Sequence, residues 1–520
     1  MKPHAKPFVI AVGYICFFLT HRANPIASDA AVQLMGIPGK AGEYQFYLCD
    51  MRPSAINAQL LYNLSKMSFT KEAYYTQGSI SRTMFKTALA MLAGTAAMSG
   101  YNLVDTYFVG RLPGQIPLAA IGYTFPIVML MGCIFRGLAT GVMSTSAIEI
   151  GAGDRQRATR LVTNGLLLVG LVSIFIAIFG MLTSRWGLHK QGASGEALTE
   201  AVAYINIWFF GCFTSSLSMT GGDLLVGVGD SKLASLGMCA GLVANALLDP
   251  ILIFGWCGLP AMGIRGAALA TVICQACSMV YVFAVLNRRH KLLKFKRYPW
   301  DIIRSCWHRV ISFAIPAALG MFMIPLGSFV VTRVTAEFGD AAVAAAQAAG
   351  KLELLAFMFP MSFGMSLTPL ISQNFGAKLY DRIKTARRVS MGFALLFLSI
   401  MAVVFFFLAP TFARVFSRDE EIRAYMTMYL RIIPWGFWAI EIHRFSTFIF
   451  TGCGRPKSAA ALNITRVLAM LIPFTLIAFF CFHSLYAVFG ARLLSDIAGG
   501  VMGFLCARHL TNHLAKSAHH

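Results

Sequence analysis

Twelve apolar stretches, each long enough to cross a bilayer, leave this chain few folds to choose from. A helix needs about 20 consecutive apolar residues to span the roughly 30 Å hydrocarbon core. In the first half, segments of that kind fall near 84–109, 116–143, 160–182, 199–220, 232–255 and 264–286. In the second they fall near 309–333, 341–370, 387–410, 424–450, 457–482 and 485–507. Lipid cannot hydrogen-bond a backbone, so runs of this length are expected as helices. Composition agrees: 57% of the chain is apolar and 13% charged, where a soluble domain has roughly a quarter of its residues charged. The expected fold class is all-α and polytopic, with twelve transmembrane helices.

The net charge of +22 invites a nucleic-acid reading, but the cations sit in short loops between apolar runs. They are better explained as topology determinants and contacts for anionic lipid head groups, and no nucleic-acid partner is expected. Loops after even-numbered helices hold roughly twice as many Lys and Arg as the others. The positive-inside rule then puts both termini and the 287–308 linker in the cytoplasm, with a bacterial inner membrane the expected location. Twelve cysteines are scattered through apolar segments and read as small buried residues, not a disulfide framework. That includes the one Cys-x-x-Cys, Cys274 to Cys277.

The halves repeat. Gly114 and Gly339 each follow the first helix of a half and lie 225 residues apart. Ala119-Ala120 matches Ala344-Ala345, Gly151-Ala152 matches Gly376-Ala377, and Gly227-Val-Gly229 matches Gly452-Cys-Gly454, all at that same offset. Six helices is an even number, so the two copies share an orientation. The expectation is two six-helix lobes related by a parallel internal repeat, with a cleft between them, the plan of a transporter. The N-lobe is expected over 67–286, the basic linker over 287–308, the C-lobe over 309–508 and a cytoplasmic tail over 509–520. Residues 1–66 do not resemble the rest. Lys2 and Lys6 precede the short apolar run Phe8–Leu19, followed by Ala27 and Ala30, the outline of a signal peptide. A cleaved signal would contradict the orientation above, and Met67 opens a polar lead into the first helix. Residues 1–66 are therefore expected to be a leader or extension, with translation starting at Met67.

Two carboxylates interrupt the apolar segments of the first half: Asp105 in Asn102-Leu-Val-Asp105, and Asp249 in Asn245-Ala-Leu-Leu-Asp249-Pro250. A charge within a membrane helix costs about 2.5–3.5 kcal/mol at the centre on insertion scales and usually faces the bundle interior. The positional counterparts in the second half are Val330 and Phe474, so the acids belong to one lobe only, which favours a task over a folding role. Asn245 lies one turn before Asp249 on the same face, and Pro250 removes a donor and frees a carbonyl in the preceding turn. Carboxylate, amide and carbonyl oxygens suit a proton or a hard monovalent cation. Two carboxylates in a low dielectric hold one proton between them more readily than either alone.

With these residues in view, the chain resembles the multidrug and toxic compound extrusion (MATE) family over roughly 80–510. The resemblance rests on Asn102-Leu-Val-Asp105-Thr-Tyr-Phe-Val-Gly110, Gly151-Ala-Gly-Asp154-Arg, Gly227-Val-Gly-Asp230-Ser-Lys, Asn245-x-x-x-Asp249-Pro and Gln373-Asn-Phe-Gly376-Ala. The Asn-x-x-x-Asp-Pro pattern is similar to the DinF-type branch. The resemblance implies alternating access and export of small cationic amphipathic compounds by antiport with H⁺ or Na⁺, without another cofactor; a monomer is expected. It implies an ion site at Asp105, Asn245 and Asp249, with Tyr204 in the fourth helix. Some members place acids in helices 7 and 10. Helix 7 here has none in its middle, while helix 10 offers Glu441 as a C-lobe coupling or substrate contact, or as a structural partner of Arg444. Arg136, Lys351, Glu353, Arg466 and Asp496 read as snorkelling or paired charges.

Forty-two Phe, 16 Tyr and 26 Met could line a cleft for flat cations, although most must face lipid or core. An enzyme is not expected. Gly227-x-Gly229-Asp230 has the form of an intramembrane aspartyl-protease motif, yet it sits at a loop edge and its repeat copy ends in Arg455. A stronger rival is a lipid-linked oligosaccharide flippase, which would need cleft cations such as Arg136, Lys351 and Arg466 for a pyrophosphate.

Overall fold

The computed structural model describes residues 73–294 and 296–517; the leader expected over 1–66 and the start expected at Met67 lie outside the described residues. Among the described residues every regular element is helical. The helices are α1 (Ile80–Val109), α2 (Ile116–Gly151), α3 (Arg155–Lys190), α4 (Gly195–Phe210), α5 (Cys212–Gly227), α6 (Ser231–Phe254) and α7 (Ile264–Arg288) in the first half. The second half has α8 (Trp300–Ala336), α9 (Asp340–Gly376), α10 (Tyr380–Phe416), α11 (Glu420–Ile432), α12 (Phe437–Gly452), α13 (Pro456–Ile464), α14 (Ile472–Phe482) and α15 (Leu485–Ser517).

These elements make twelve spans. Among the described residues, nine continuous helical runs are long and apolar enough to cross a membrane, and α4 with α5, bent by 50°, makes a tenth. Helix α1 has 30 residues, and α11 joins α12 through the 3₁₀ turn Ile433–Gly436, completing the set. The protein is a multi-pass membrane protein. Helices extend well beyond the apolar cores into the basic loops: α8 begins at Trp300, inside the stretch expected to be linker, and α15 runs to Ser517, through most of the expected tail.

The repeat is visible in the backbone. Helices α3, α4, α5 and α6 start at 155, 195, 212 and 231, and α10, α11, α12 and α13 start 225 residues later at 380, 420, 437 and 456. Left-handed turns recur at the same offset: Gly114 and Gly339 (φ 86° and 98°), Gly229 and Gly454 (94° and 72°), and Gly153 with Lys378 (80° and 58°). The last pair places a lysine where L-residues carry a steric penalty. The prolines act locally. Pro434 lies in the break between α11 and α12. Pro473 opens α14 directly after a π-helical turn, Thr465–Leu471, where a wider ladder absorbs the donor that proline lacks.

The halves meet along α2 with α8 and α1 with α9. At mid-depth small residues allow backbone contact: a Cβ on Gly137 would fall 2.7 Å from the Ala314 carbonyl, and one on Gly141 2.7 Å from that of Val310. At the end bearing the basic loops the approach is closest and reciprocal. A Cβ on Gly151 would lie 2.0 Å from the Gln373 carbonyl oxygen, and one on Gly376 1.9 Å from that of Ile148. A short 3₁₀ turn, Tyr74–Thr76, is stapled into this junction. The Tyr75 amide donates to Gln373 Oε1 (2.9 Å) and its hydroxyl to the Val226 carbonyl (2.9 Å). Gln373 Nε2 donates to the Gly227 carbonyl (2.8 Å), and Asn374 Nδ2 to that of Tyr75 (3.0 Å). Arg309 of α8 also pairs with Glu149 of α2. The repeat motifs therefore mark where the two copies close on each other.

Candidate ion-coupling site

Helices α1 and α6 pack closely because α1 carries glycine where α6 crosses it. A Cβ at Gly94 would meet Ser235 and Met238 at 3.0 Å, and one at Gly100 would meet Leu242 at 3.3 Å. This packing carries Asp105, near the far end of α1, to Asn245 and Asp249 on α6. Asn245 and Asp249 are fully buried, and Asn245 Nδ2 donates to Asp249 Oδ1 at 3.1 Å, as their spacing of one turn predicts. Asp105 is half-buried and lies within hydrogen-bonding reach of Asp249, Asn245 and Thr271 of α7.

Three oxygens at this point, Asp105 Oδ1, Asn245 Oδ1 and Asp249 Oδ2, are buried without a hydrogen-bond partner. Buried polar atoms are nearly always paired, and adjacent carboxylates repel unless a proton or cation lies between them. This oxygen-only set suits a proton or a hard cation of low charge. Among the described residues no group of three or more His, Cys, Asp or Glu is arranged to hold a metal ion. Pro250, within α6, leaves the Ala246 carbonyl without its helical donor, an additional oxygen in the same turn.

Tyr204 of α4 is held by Trp208, whose indole N–H donates to its hydroxyl at 3.2 Å, and both Asp105 and Asp249 are close enough to act on it electrostatically. The structure thus gathers all four residues expected in the first lobe. It adds two that the sequence reading missed: Thr271 and Tyr101, the latter lying against Thr271, Cys274 and Asp105. Tyr101 sits one turn before Asp105, so its spacing was a usable signal; Thr271, alone on another helix, gave none. Cys274 is buried and Cys277 exposed, and both are free.

Another first-lobe acid, visible in the sequence, was not read there as part of a pair. Asp223 of α5 accepts from Arg136 of α2 at 3.2 and 3.3 Å, so Arg136 is paired, not snorkelling. The pair is part-buried, so removing one partner leaves the other only partly solvated, at a cost below the ~3–5 kcal/mol of a fully buried pair. Arg136→Met is expected to lower the melting temperature sharply, and adding Asp223→Asn is expected to recover most of the loss; equal melting of the single and double variants would show that the pair carries no stability.

Glu441 is not part of the first-lobe site. It is fully buried on α12, 3.0 Å from Arg444, whose guanidinium lies over the Phe357 ring at 5.2 Å. Two other second-lobe acids are also paired: Glu353 with Arg492 (3.0 Å) and with the Tyr429 hydroxyl (2.5 Å), and Asp496 with Arg466 (2.9 Å). Asp230, from the protease-like motif, occupies the N-cap position of α6, and its carboxylate pairs with Arg289 and His290, each at 2.9 Å, as a structural turn would.

Comparison with known proteins identifies the family. The family model described as MatE matches residues 90–251 and, a second time, 316–477. The chain is 28% identical over 427 residues to a FAD transporter of Shewanella oneidensis, covering 82% of this chain and 93% of that protein. It is 24% identical to the multidrug export protein MepA of Staphylococcus haemolyticus, covering 83% and 93%. The crystal structure of the Vibrio cholerae MATE transporter VcmN in the bent form superimposes with a TM-score of 0.78 at 26% identity, over 84% of this chain and 98% of that one. With each of its two halves matched by the same family model, the chain belongs to the MATE family of membrane transporters.

Proposed function

We propose that this protein is a secondary active exporter of amphipathic organic compounds, driven by exchange for H⁺ or Na⁺ at Asp105, Asn245 and Asp249. The observation that carries this reading is the trio of unpartnered oxygens in one lobe, an oxygen-only donor set suited to a proton or a small monovalent cation. A second feature supports coupling. The first half of α1, with Ile80, Met84 and Ala88, is buried in the same core as Phe363, Leu367 and Phe445 of the second lobe, while its far half carries Asp105 in the first. Neutralising Asp105 and Asp249 changes how strongly α1 is held to α6, and α1 transmits that change to the opposite lobe. By linkage, cation and substrate then lower each other's affinity. The basic end faces the cytoplasm in this reading, with both termini on that side of a bacterial inner membrane, and the Asn245-x-x-x-Asp249-Pro250 pattern resembles the DinF-type branch.

Cationic compounds are the favoured substrates because the first-lobe site presents two carboxylates, Asp105 and Asp249. The Shewanella relative favours a second reading, the anionic dinucleotide FAD. A flippase is the weakest fit: Arg136 and Arg466, which it would need free, are engaged by Asp223 and Asp496. Inverted vesicles holding the protein are given a pH gradient or a Na⁺ gradient separately, with ethidium or FAD outside. Uptake of ethidium under one gradient supports the primary reading; uptake of FAD alone replaces it, and uptake of neither under either gradient overturns the exchanger.

A further inference from the structure

We propose that a groove on the outer surface of the second lobe, at the end away from the basic loops, seats the headgroup of an anionic phospholipid. The groove has a volume of about 490 Å³ and is formed by the last turns of α10, one face of α11 and the start of α15. Its polar lining is Arg414, Arg423 and Arg431 against one carboxylate, Glu420, a net charge of +2.

The residues of α11 that line it, Glu420, Arg423, Thr427 and Arg431, recur at three- and four-residue intervals and so form one stripe. The adjoining stripe, Met426, Tyr429 and Leu430, is buried in the lobe's core. The arginine stripe therefore lies at the edge of that core and opens into the groove at the lobe's surface. None of the three arginines is in an ion pair among the described residues. Arg423 Nε is buried with no hydrogen-bond partner at all, and Arg431 lies over the Phe406 ring at 5.7 Å. The surrounding surface is apolar and aromatic: Phe407 is 73% exposed, Val415 76% and Tyr486 63%.

Three unpaired guanidiniums bordering lipid need an anion, and a planar guanidinium matches a phosphate through paired N–H donors. A soluble anion would use only the charged part of the groove. Pro410, Met428 and Ile432 line the rest and lead onto the exposed Phe407, which offers an acyl chain a continuous apolar path. Arg423 and Arg431 are eight residues apart, about 12 Å along the helix, so a diphosphate lipid could engage both. The chemistry that recognises the ligand is thus a phosphate joined to a hydrocarbon chain. The positive-inside bias disfavours arginines at this end of the bundle, so topology gives no alternative reason for their clustering here.

The test uses the full chain in detergent, titrated with phosphatidylglycerol, phosphatidylcholine or inorganic phosphate while thermal unfolding is followed. Phosphatidylglycerol is expected to raise the unfolding midpoint and phosphatidylcholine to leave it nearly unchanged. The variant with Arg414→Gln, Arg423→Gln and Arg431→Gln is expected to need at least ~10-fold more phosphatidylglycerol for the same shift, the equivalent of about 1.4 kcal/mol. Arg418→Gln, which removes a neighbouring cation outside the groove, is expected to titrate like the parent. If the triple variant does not fold, Arg423→Lys keeps the charge, loses the planar donors, and is expected to weaken the response several-fold. The proposal is overturned by an unchanged response in these groove variants, by equal action of the two lipids, or by a full shift with inorganic phosphate alone.

Discussion

Asp249→Asn is expected to abolish gradient-driven efflux of a dye such as ethidium while the protein still inserts and melts cooperatively. The substitution keeps the shape and the bond to Asn245 Nδ2 (3.1 Å) but removes the charge that must appear and disappear during exchange. Coupling free energies between sites are typically 1–3 kcal/mol, so the loss in coupled transport should approach ~100-fold if the site supplies the whole of it. Asp105→Asn should behave alike, since the two carboxylates touch and act as one titrating unit. The check is dye accumulation in vesicles under an imposed gradient, with membrane content measured alongside. Unchanged coupled transport in either variant would remove that acid from the mechanism. A purely structural clamp between α1 and α6 predicts another pattern: lower thermal stability, with the surviving protein still coupled.

The second large effect concerns the junction of the lobes. A methyl group at Gly376 would sit 1.9 Å from the Ile148 carbonyl oxygen, and one at Gly151 2.0 Å from that of Gln373. Both obstacles are backbone, so neither can move aside without shifting a helix. Gly376→Ala is therefore expected to force the lobes apart at the basic end, breaking the bonds from Tyr75 to Gln373 and Val226. Once separated, the buried Gln373 and Asn374 become reachable by water. A cysteine placed at Ser372, fully buried here, should then react with a water-soluble maleimide at least ~10-fold faster than in the parent, a population shift of about 1.4 kcal/mol. Transport should fall with it, because a state in the cycle has been destabilised. Equal labelling rates in the two backgrounds would mean that this contact does not hold the lobes together.

Glycine-marked positions also show what could be read without coordinates. The offset of 225 residues relates the start of α3 to that of α10 and the start of α6 to that of α13, and it was legible from Gly151 with Gly376 and Gly227 with Gly452. The sequence did not say what those glycines were for. Gly151 and Gly376 mark the place where the two copies press on each other, and only a three-dimensional crossing turns absent side chains into a contact. Asp105, Asn245 and Asp249 were legible because a carboxylate in an apolar helix is costly and therefore conspicuous. Thr271, which completes the site from α7, was not, because a threonine is neutral and readily satisfied within its own helix. Asp223 and Arg136 were each visible, but their pairing crosses 87 positions and follows from helix packing alone.

Hydropathy, loop charge and internal repetition determine that this chain is a two-fold bundle of twelve spans with the Asp105–Asp249 pair in one half, because these are one-dimensional properties of a polymer partitioning between water and lipid. The partners of those acids, the helix that joins the two lobes, and the end at which they close were decided by tertiary structure. Which faces of twelve helices meet depends on where glycine permits close approach across the bundle, and such contacts exist only between residues far apart in the chain.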